Sequence, residues 1–254
     1  MQWNFYLSGI LYGKFYVKDN DIFVEKLDAA KGIWYPKETF TEESDDFFKK
    51  LCSRSLLDFF KNKKEYEEKS SEGADEFTAS SGETFSNRRN EVYFQRQKKF
   101  PKDLFYDEDG IYAVLMSGRD FAAVLVKNGE EDRTILSRWK KAFPEPPAAV
   151  NFLGTFFVDT RDGEKLATDV YLPKGEAYKE QKVPSVLIRT PYGKGERPEQ
   201  YYRFVQRGYA VVIQDTRGRE DSTGEWLPNY YEVEDGDDTL NWIADQKWSD
   251  GQVS

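Results

Sequence analysis

Histidine is absent from the 254 residues, and the only cysteine is Cys52. Without histidine, the chain cannot by itself assemble a Ser–His–Asp or Cys–His–Asp catalytic triad, and a histidine-rich metal site is also excluded. One cysteine cannot form an internal disulfide, so nothing in the composition requires an oxidising compartment. We expect Cys52 to be a small, buried, apolar residue.

Positively charged residues are also fewer than negatively charged ones. The chain has 37 Lys and Arg residues and 46 Asp and Glu residues, which give a formal net charge of −9. Nucleic-acid binding needs a concentrated Lys/Arg surface, so a nucleic-acid partner is not expected. The first twenty residues have no basic segment before an apolar run and are interrupted by Gly9, Lys14 and Lys18. This pattern predicts neither a signal peptide nor a membrane span, and therefore a cytoplasmic protein with no membrane partner.

Aromatic residues, in contrast, make up 16% of the chain, which is enough for well-packed cores. The length suits two modest domains. Prolines cluster in Phe143-Pro144-Glu145-Pro146-Pro147, and such a run resists both helix and central strand. We therefore predict a small α+β domain of unknown role at residues 1–143, a Pro-rich linker at 144–150 and a second domain at 151–254.

The first half of the N-terminal domain shows a hairpin and a helix. Strand-like runs at residues 15–17 and 22–27 flank a polar turn at 18–21, which predicts a β-hairpin. Apolar residues from Phe47 to Phe60 then recur at helical spacing, and Ser44 is the expected N-cap. We interpret this stripe as one helix that faces the core.

The second half of this domain is less regular. Residues 67–90 are rich in Ser, Glu and Gly, and we expect an exposed, mobile loop without a function. Three strand-like runs follow, at residues 111–116, 121–126 and 134–139, separated by Ser-Gly and Asn-Gly turns. They predict a short antiparallel meander.

The C-terminal domain has a different pattern. A hairpin is predicted at residues 156–173, with its turn at Asp162-Gly163. The runs 185–188 and 210–213 lack polar alternation, and a helical pattern at 196–209 separates them, which indicates parallel strands buried on both faces. With a further helix at 235–246, this is a βαβ unit at the start of an α/β domain.

Functional residues in open α/β sheets collect at the carboxyl ends of the strands, and here the loops RTPYGKG and DTRGREDSTGEW follow the two parallel strands. Four sequence blocks lie in and after them. They are Arg189-Thr190-Pro191-Tyr192, then Gln214-Asp215-Thr216-Arg217-Gly218 with Ser222 and Gly224, then Asp235 with Asp238 and Trp242, and finally Gln246-Lys247-Trp248-Ser249-Asp250-Gly251-Gln252-Val253. In this order they resemble the acyl hydrolases related to cocaine esterase and the X-prolyl dipeptidyl-peptidases, in the α/β-hydrolase fold. The resemblance covers residues 151–254 only.

The resemblance implies the first part of an α/β-hydrolase sheet and a serine acyl hydrolase, which opens an ester or amide through an acyl-serine intermediate. It implies that Tyr192 donates its hydroxyl hydrogen to the oxyanion. The family's nucleophile elbow, Gly-x-Ser-Tyr-x-Gly, would begin a few residues after Val253, so the nucleophilic Ser, the acid and the His are expected beyond Ser254. By this reasoning the chain alone is inactive, and its complete form takes a small-molecule ester or amide, or a peptide, without a metal or organic cofactor.

Three alternatives remain open from the sequence. Tyr192 could be a buried aromatic residue at a Pro-Tyr turn. The complete protein could be an X-prolyl dipeptidyl-peptidase, although a strand-rich first domain favours an ester or amide hydrolase. The chain could also be a truncated, non-catalytic binding module in which residues 1–143 do the work, and stable, monodisperse behaviour would favour that reading, since half a parallel sheet exposes an edge strand.

The remaining polar residues of these blocks have structural interpretations. Asp215 is expected to bind loop N–H groups or Arg217. The acidic residues 232–238 lack the glycine-centred calcium loop and are expected to cap a helix. Glu220 stands where the family usually has Gly, which implies a different backbone path or a charged pocket rim. The loop TPYGKG lacks the Gly-Lys-Ser/Thr ending of a phosphate loop, so that interpretation is rejected.

Overall fold

The computed structural model describes residues 1–19, 21–89, 91–119, 121–142, 147–196 and 198–254. The chain divides into two compact units, Met1–Asp28 with Trp34–Pro144, and Ala29–Ile33 with Glu145–Ser254. Most of the proline cluster lies outside the described residues, so the linker at 144–150 stays a prediction. The first strand of the second unit begins at Ala149, inside that segment.

The first unit is built on an eleven-stranded sheet. Its strands are β1 Gln2–Leu7, β2 Ile10–Lys18, β3 Asp21–Asp28, β4 Ile33–Trp34, β5 Glu38–Thr39, β6 Glu76–Thr78, β7 Thr84–Arg89, β8 Val92–Gln95, β9 Lys102–Asp107, β10 Gly110–Ser117 and β11 Ala122–Lys127. The order is β4-β3-β2-β1-β11-β10-β9-β8-β7-β6, with β5 paired to β3. The predicted β2–β3 hairpin and the β10–β11 pair are confirmed as antiparallel.

The predicted single helix is two helices, α1 Glu42–Cys52 and α2 Leu56–Ser71. Ser53 ends α1 in the left-handed conformation, with φ 54°. The buried carboxylate of Asp45 then accepts hydrogen bonds from the backbone N–H groups of Leu56 (2.9 Å) and Leu57 (3.2 Å), which fixes where α2 starts. Ser44 is not the N-cap, because Thr41 takes that position and Ser44 completes its capping box.

Two further predictions for this unit are wrong. Residues 67–90 contain the end of α2 and strands β6 and β7, rather than a single exposed loop. Phe77 and Phe85 on these strands are buried and stack with their ring centroids 5.2 Å apart, which places the segment on the core. The third meander strand, at 134–139, is instead the start of helix α3, Leu136–Ala142, which follows a 3₁₀ turn at Glu131–Arg133.

The core of the first unit lies between the sheet and the helices α1 and α2, as the apolar stripe predicted. Several of its aromatic pairs meet edge to face, one of the favoured geometries for such pairs. Phe5 and Phe48 lie 5.2 Å apart, and Trp3 and Phe59 lie 5.8 Å apart, all fully buried or nearly so. Cys52 is also buried, as predicted, and burial raises the pKa of its thiol to about 12.

The second unit contains a five-stranded sheet of order β12-β13-β15-β14-β16. Its strands are β12 Ala149–Asp159, β13 Lys165–Lys174, β14 Val183–Thr190, β15 Ala210–Asp215 and β16 Ser249–Val253. The predicted β12–β13 hairpin and the parallel β14–β15 pair are confirmed, and β16 lies parallel to β14 on its other side. Every residue of β15 is buried, as expected for a central strand covered on both faces.

The helices of the second unit differ in length. The helix predicted at 196–209 is only a 3₁₀ turn, Pro198–Tyr201, and a single turn of α-helix, α4 Tyr202–Val205. The last helix, α5 Glu232–Ala244, packs Ile243 against Val170 and Val212 of the sheet. A further 3₁₀ turn spans Glu176–Tyr178. In the part of the chain that the structure describes, none of the helices has the length and apolar character that crossing a lipid bilayer would demand.

Candidate active site at the carboxyl edge of the second sheet

The two loops that follow the parallel strands meet at one edge of the second sheet. Thr190, the last residue of β14, pairs in register with Asp215, the last residue of β15. The backbone N–H of Thr216 donates to the Thr190 carbonyl oxygen at 3.0 Å, which extends this pairing into the loops. The structure therefore brings the Arg-Thr-Pro-Tyr block beside the Gln-Asp-Thr-Arg-Gly block.

Tyr192 lies on a tight turn at this edge, and its side chain is 80% exposed. Its backbone N–H donates to the Thr190 Oγ1 at 3.1 Å, and Gly193 follows with φ +96°, a conformation that favours glycine. On the other side of the turn, the Arg219 Nε donates to the Pro191 carbonyl oxygen at 3.0 Å. The high exposure rules out the alternative of a buried aromatic residue within the described structure.

A buried ion pair anchors the end of this turn. The Asp215 carboxylate, fully buried, accepts hydrogen bonds from the Lys194 backbone N–H (2.6 Å) and from its Nζ (3.0 Å). Burial works against the charge of Lys194, but hydrogen bonds to Asp221 and Asp215 outweigh it and raise the pKa of the ammonium group. Asp215 thus binds a loop N–H group, as predicted, and fixes the path of the chain after Tyr192.

Arg217 does not pair with Asp215, which corrects one part of that prediction. Its guanidinium binds two other carboxylates, Asp162 in the β12–β13 turn (2.6 and 2.9 Å) and the buried Asp235 on α5 (2.5 and 3.1 Å). It also lies over the Tyr231 ring, 4.2 Å from its centre. The hydrogen bonds from Arg217 hold the pKa of the Asp162 carboxyl well below its usual range. We call these four residues the Arg217 cluster.

Arg189 joins three of the sequence blocks. Its Nε donates to the Gln214 Oε1 at 2.9 Å, and its Nη1 donates to the Glu232 carboxylate at 2.6 Å. Its Nη2 lies 3.6 Å from the Asp235 carboxylate. Sequence reasoning did not assign this role to Arg189 or Gln214. The available signal was that both are long polar side chains at the ends of otherwise apolar strands.

The acidic residues 232–238 act mainly as partners of arginines. Glu232, Glu234 and Asp235 lie in the first turn of α5, where the helix dipole favours negative charge, as predicted. However, the residue at the N-cap, Tyr231, makes no side-chain capping bond, and Asp237 and Asp238 instead bind Arg161, a partner the sequence did not indicate. Among the described residues, no group of three or more Cys, Asp and Glu side chains could hold a metal ion.

Glu220 is exposed and adopts φ 48°, in the left-handed region. Only glycine enters this region without a steric cost from the Cβ atom. The loop thus has, at this position, the backbone conformation that suits a glycine.

The replacement Glu220→Gly is therefore expected to raise the free energy of unfolding by about 1 kcal/mol, because removing the cost of a side chain at positive φ outweighs the added freedom of the unfolded chain. Urea denaturation would measure the change. The matched control is Glu225→Gly, an exposed position of the same loop without positive φ, where a loss of about 0.5 kcal/mol is expected from the added freedom of the unfolded chain. A lower stability for Glu220→Gly than for the unaltered chain would contradict the expectation.

Strand order, parallel pairing and the loops at the carboxyl edge define the second unit as an α/β sheet, the class implied by the resemblance to α/β-hydrolases, preceded by an α+β unit. Comparison with known proteins confirms the resemblance seen in the motifs. Residues 162–254 match the family described as X-Pro dipeptidyl-peptidase (S15 family). This region is thus shared with enzymes that hydrolyse esters or peptides.

Two curated relatives are described as esterases. The cocaine esterase of Rhodococcus sp. (strain MB1 Bresler) is 43% identical over 102 residues, which are 38% of this chain and 17% of the esterase. A putative serine esterase of Mycobacterium bovis is 33% identical, over 39% of this chain and 19% of the relative. A solved CocE/NonD family hydrolase from Staphylococcus aureus is 28% identical with a TM-score of 0.35, over 41% of this chain and 22% of that one. The chain thus spans less than a fifth of the length of these two curated relatives.

Proposed function

We propose that the second unit is the first part of the catalytic domain of a serine acyl hydrolase, which opens an ester or amide through an acyl-serine intermediate. The observation that carries the proposal is Tyr192, exposed on a turn that hydrogen bonds fix at the carboxyl edge of the sheet. The family match over residues 162–254 supports the same reaction class.

In this proposal, Tyr192 is one donor of the oxyanion hole. Acyl transfer builds negative charge on the carbonyl oxygen, and a donor held in place before the reaction stabilises that charge without reorganisation. A phenol donates one hydrogen bond through its O–H group at neutral pH. The turn, with its anchors at Pro191 and Lys194, fixes the backbone that carries this hydroxyl, which supports the proposal.

The rest of the catalytic machinery has to come from residues outside these 254. The chain contains no histidine, so the general base of a triad is not among them. We propose that the nucleophilic Ser and the acid are also supplied from elsewhere in the complete protein, and that this chain alone is inactive. The mechanism requires no metal or organic cofactor.

The substrate proposed is a small-molecule ester or amide. An X-prolyl dipeptidyl-peptidase is the second candidate, because the matching family carries that description. The strand-rich first unit favours the esterase. A cytoplasmic location and the absence of nucleic-acid and membrane partners remain predictions from the sequence.

The test compares the 254-residue chain with the product of the complete reading frame. Both are treated with a fluorophosphonate, which labels activated serines, and assayed with p-nitrophenyl acetate and alanyl-proline p-nitroanilide. We expect the complete enzyme to be labelled on a serine outside residues 1–254 and to hydrolyse the ester, and we expect the shorter chain to do neither. A labelled serine within the 254 residues, or a complete product without label and without hydrolysis, would overturn the proposal. Faster cleavage of the anilide would favour the peptidase.

A further inference from the structure

A cavity of about 640 Å³ lies within the first unit, lined by residues of α2 and of strands β1, β2, β3 and β5. We call it the Trp3 cavity. Its wall includes Trp3, Ile22, Phe40, Leu57, Phe60 and Lys63. The volume falls in the range of about 300–1,000 Å³ that is typical of small-molecule sites, and the apolar wall with a few polar groups is also typical of them. It is separate from the site of the second unit.

The indole of Trp3 is the unusual group in this wall. The residue is fully buried, and its Nε1 has no hydrogen-bond partner within the described structure. Buried polar groups are nearly always paired, because an unmet donor loses its bonds to water without compensation. The indole nitrogen is a donor only, so the group that would satisfy it is an acceptor.

Cations surround the same cavity on the side of α2. Lys61, Lys63 and Lys64 all line it. Lys61 and Lys64 are exposed and lie 3.7 Å from their carboxylate partners, Glu42 and Glu68, so these pairs are loose. Three carboxylates also line it, Asp19 and Asp21 on the β2–β3 side and Glu67 on α2, where Glu67 binds the Lys63 Nζ at 2.5 Å. An anionic group toward α2 would therefore meet the loosely paired Lys61 and Lys64, and it would have to compete with Glu67 for Lys63.

We propose that the Trp3 cavity binds a small apolar anion, an aromatic or aliphatic body that carries a carboxylate or sulfonate. The body packs on Phe40 and Phe60, and an anionic oxygen accepts from the Trp3 Nε1–H and from Lys63. The Lys63 Nζ lies 5.9 Å from the centre of the Trp3 ring, on a long and flexible side chain. Because Trp3 has no exposed surface, Lys63 has to leave Glu67 and move aside to admit the oxygen, which it then binds. The proposal does not depend on the proposed hydrolase activity.

The test uses two fluorescent probes with the same ring system on the 254-residue chain. 1-Anilinonaphthalene-8-sulfonate carries an anionic group, and N-phenyl-1-naphthylamine lacks it. The replacement Trp3→Phe keeps an aromatic ring but removes the donor, and it is expected to weaken sulfonate binding about tenfold, the effect of one hydrogen bond to a charged group. Binding of the neutral probe should change less than about twofold. Trp139→Phe, in the same unit but outside the cavity wall, is the matched control and should leave both affinities unchanged.

A second variant keeps the test informative if Trp3→Phe fails to fold. Leu57 lines the cavity and is only half-buried, so Leu57→Trp fills the space from the cavity wall without removing a polar group. It is expected to abolish saturable binding of both probes. Saturable sulfonate binding that survives Leu57→Trp, equal loss of both probes in Trp3→Phe, or no sulfonate binding to the unaltered chain would each overturn the proposal.

Discussion

The replacement Tyr192→Phe in the complete enzyme is expected to lower kcat by about 10²–10³, with KM changed much less. The physical reason is that the lost O–H group would bind the oxyanion, whose charge appears in the transition state and not in the bound substrate. Because the side chain is 80% exposed, removing its hydroxyl should leave the folded state as stable as before. Steady-state hydrolysis of p-nitrophenyl acetate, combined with thermal unfolding, would measure both quantities.

Tyr230→Phe is the matched control for this experiment. Tyr230 is also an exposed tyrosine, 69% accessible, in the segment between β15 and α5. It should retain kcat within about twofold, because the proposal gives its hydroxyl no role. A Tyr192→Phe enzyme with unchanged kcat would remove Tyr192 from the oxyanion hole and leave the reaction class to be judged from the serine labelling.

The second large effect concerns stability, where Asp235→Ala is expected to lower the free energy of unfolding of the second unit by about 3–5 kcal/mol. The Asp235 carboxylate is 1% exposed and lies between two guanidinium groups, those of Arg217 and Arg189. Its removal leaves both arginines near a buried space with part of their charge unmatched. Urea denaturation of the 254-residue chain would measure the loss.

Asp237→Ala provides the control on the same helix. Asp237 binds Arg161, but its side chain is 58% exposed, and Arg161 keeps Asp238 as a partner. Exposed ion pairs contribute little, so the change should be within about 0.5 kcal/mol. If Asp235→Ala were as mild as this control, the Arg217 cluster would not be a major source of stability.

The second sheet was largely predictable because its signals are local. The turn at Asp162-Gly163 indicates the β12–β13 hairpin within a few residues. The continuous apolar runs in β14 and β15 likewise indicate buried parallel strands. The prediction of a helix at 196–209 was wrong about its length. A helical spacing of apolar residues does not show how many turns actually form. Its observed remnant is the single turn α4.

The first unit was harder to predict because its strands depend on distant partners. β6 and β7 each place one buried phenylalanine among polar residues, which looks like a loop to any local pattern. The break between α1 and α2 depends on the Asp45 carboxylate, which reaches N–H groups eleven and twelve residues further along the chain. Helical spacing of apolar residues continues across that break, so the pattern predicts a single helix.

In the candidate site, the sequence identified the blocks but not most of the bonds between them. The resemblance selected Tyr192, and strand ends predicted the meeting of the two loops. Nothing local indicated that Arg217 would bind Asp162, fifty-five residues before it in the chain, rather than its near neighbour Asp215. Where several carboxylates are available to one arginine, only the folded arrangement decides the pairing.

The turn that carries Tyr192 also bears on conformational entropy. The bonds from Arg219 to Pro191, from Tyr192 to Thr190 and from Lys194 to Asp215 immobilise the backbone on both sides of the tyrosine. Fixing the backbone of one residue costs roughly 1–2 kcal/mol, and here that ordering is completed when the unit folds. A group that binds the Tyr192 hydroxyl therefore has to restrict only the two side-chain torsions of this residue, so little of its binding energy is lost to ordering the protein.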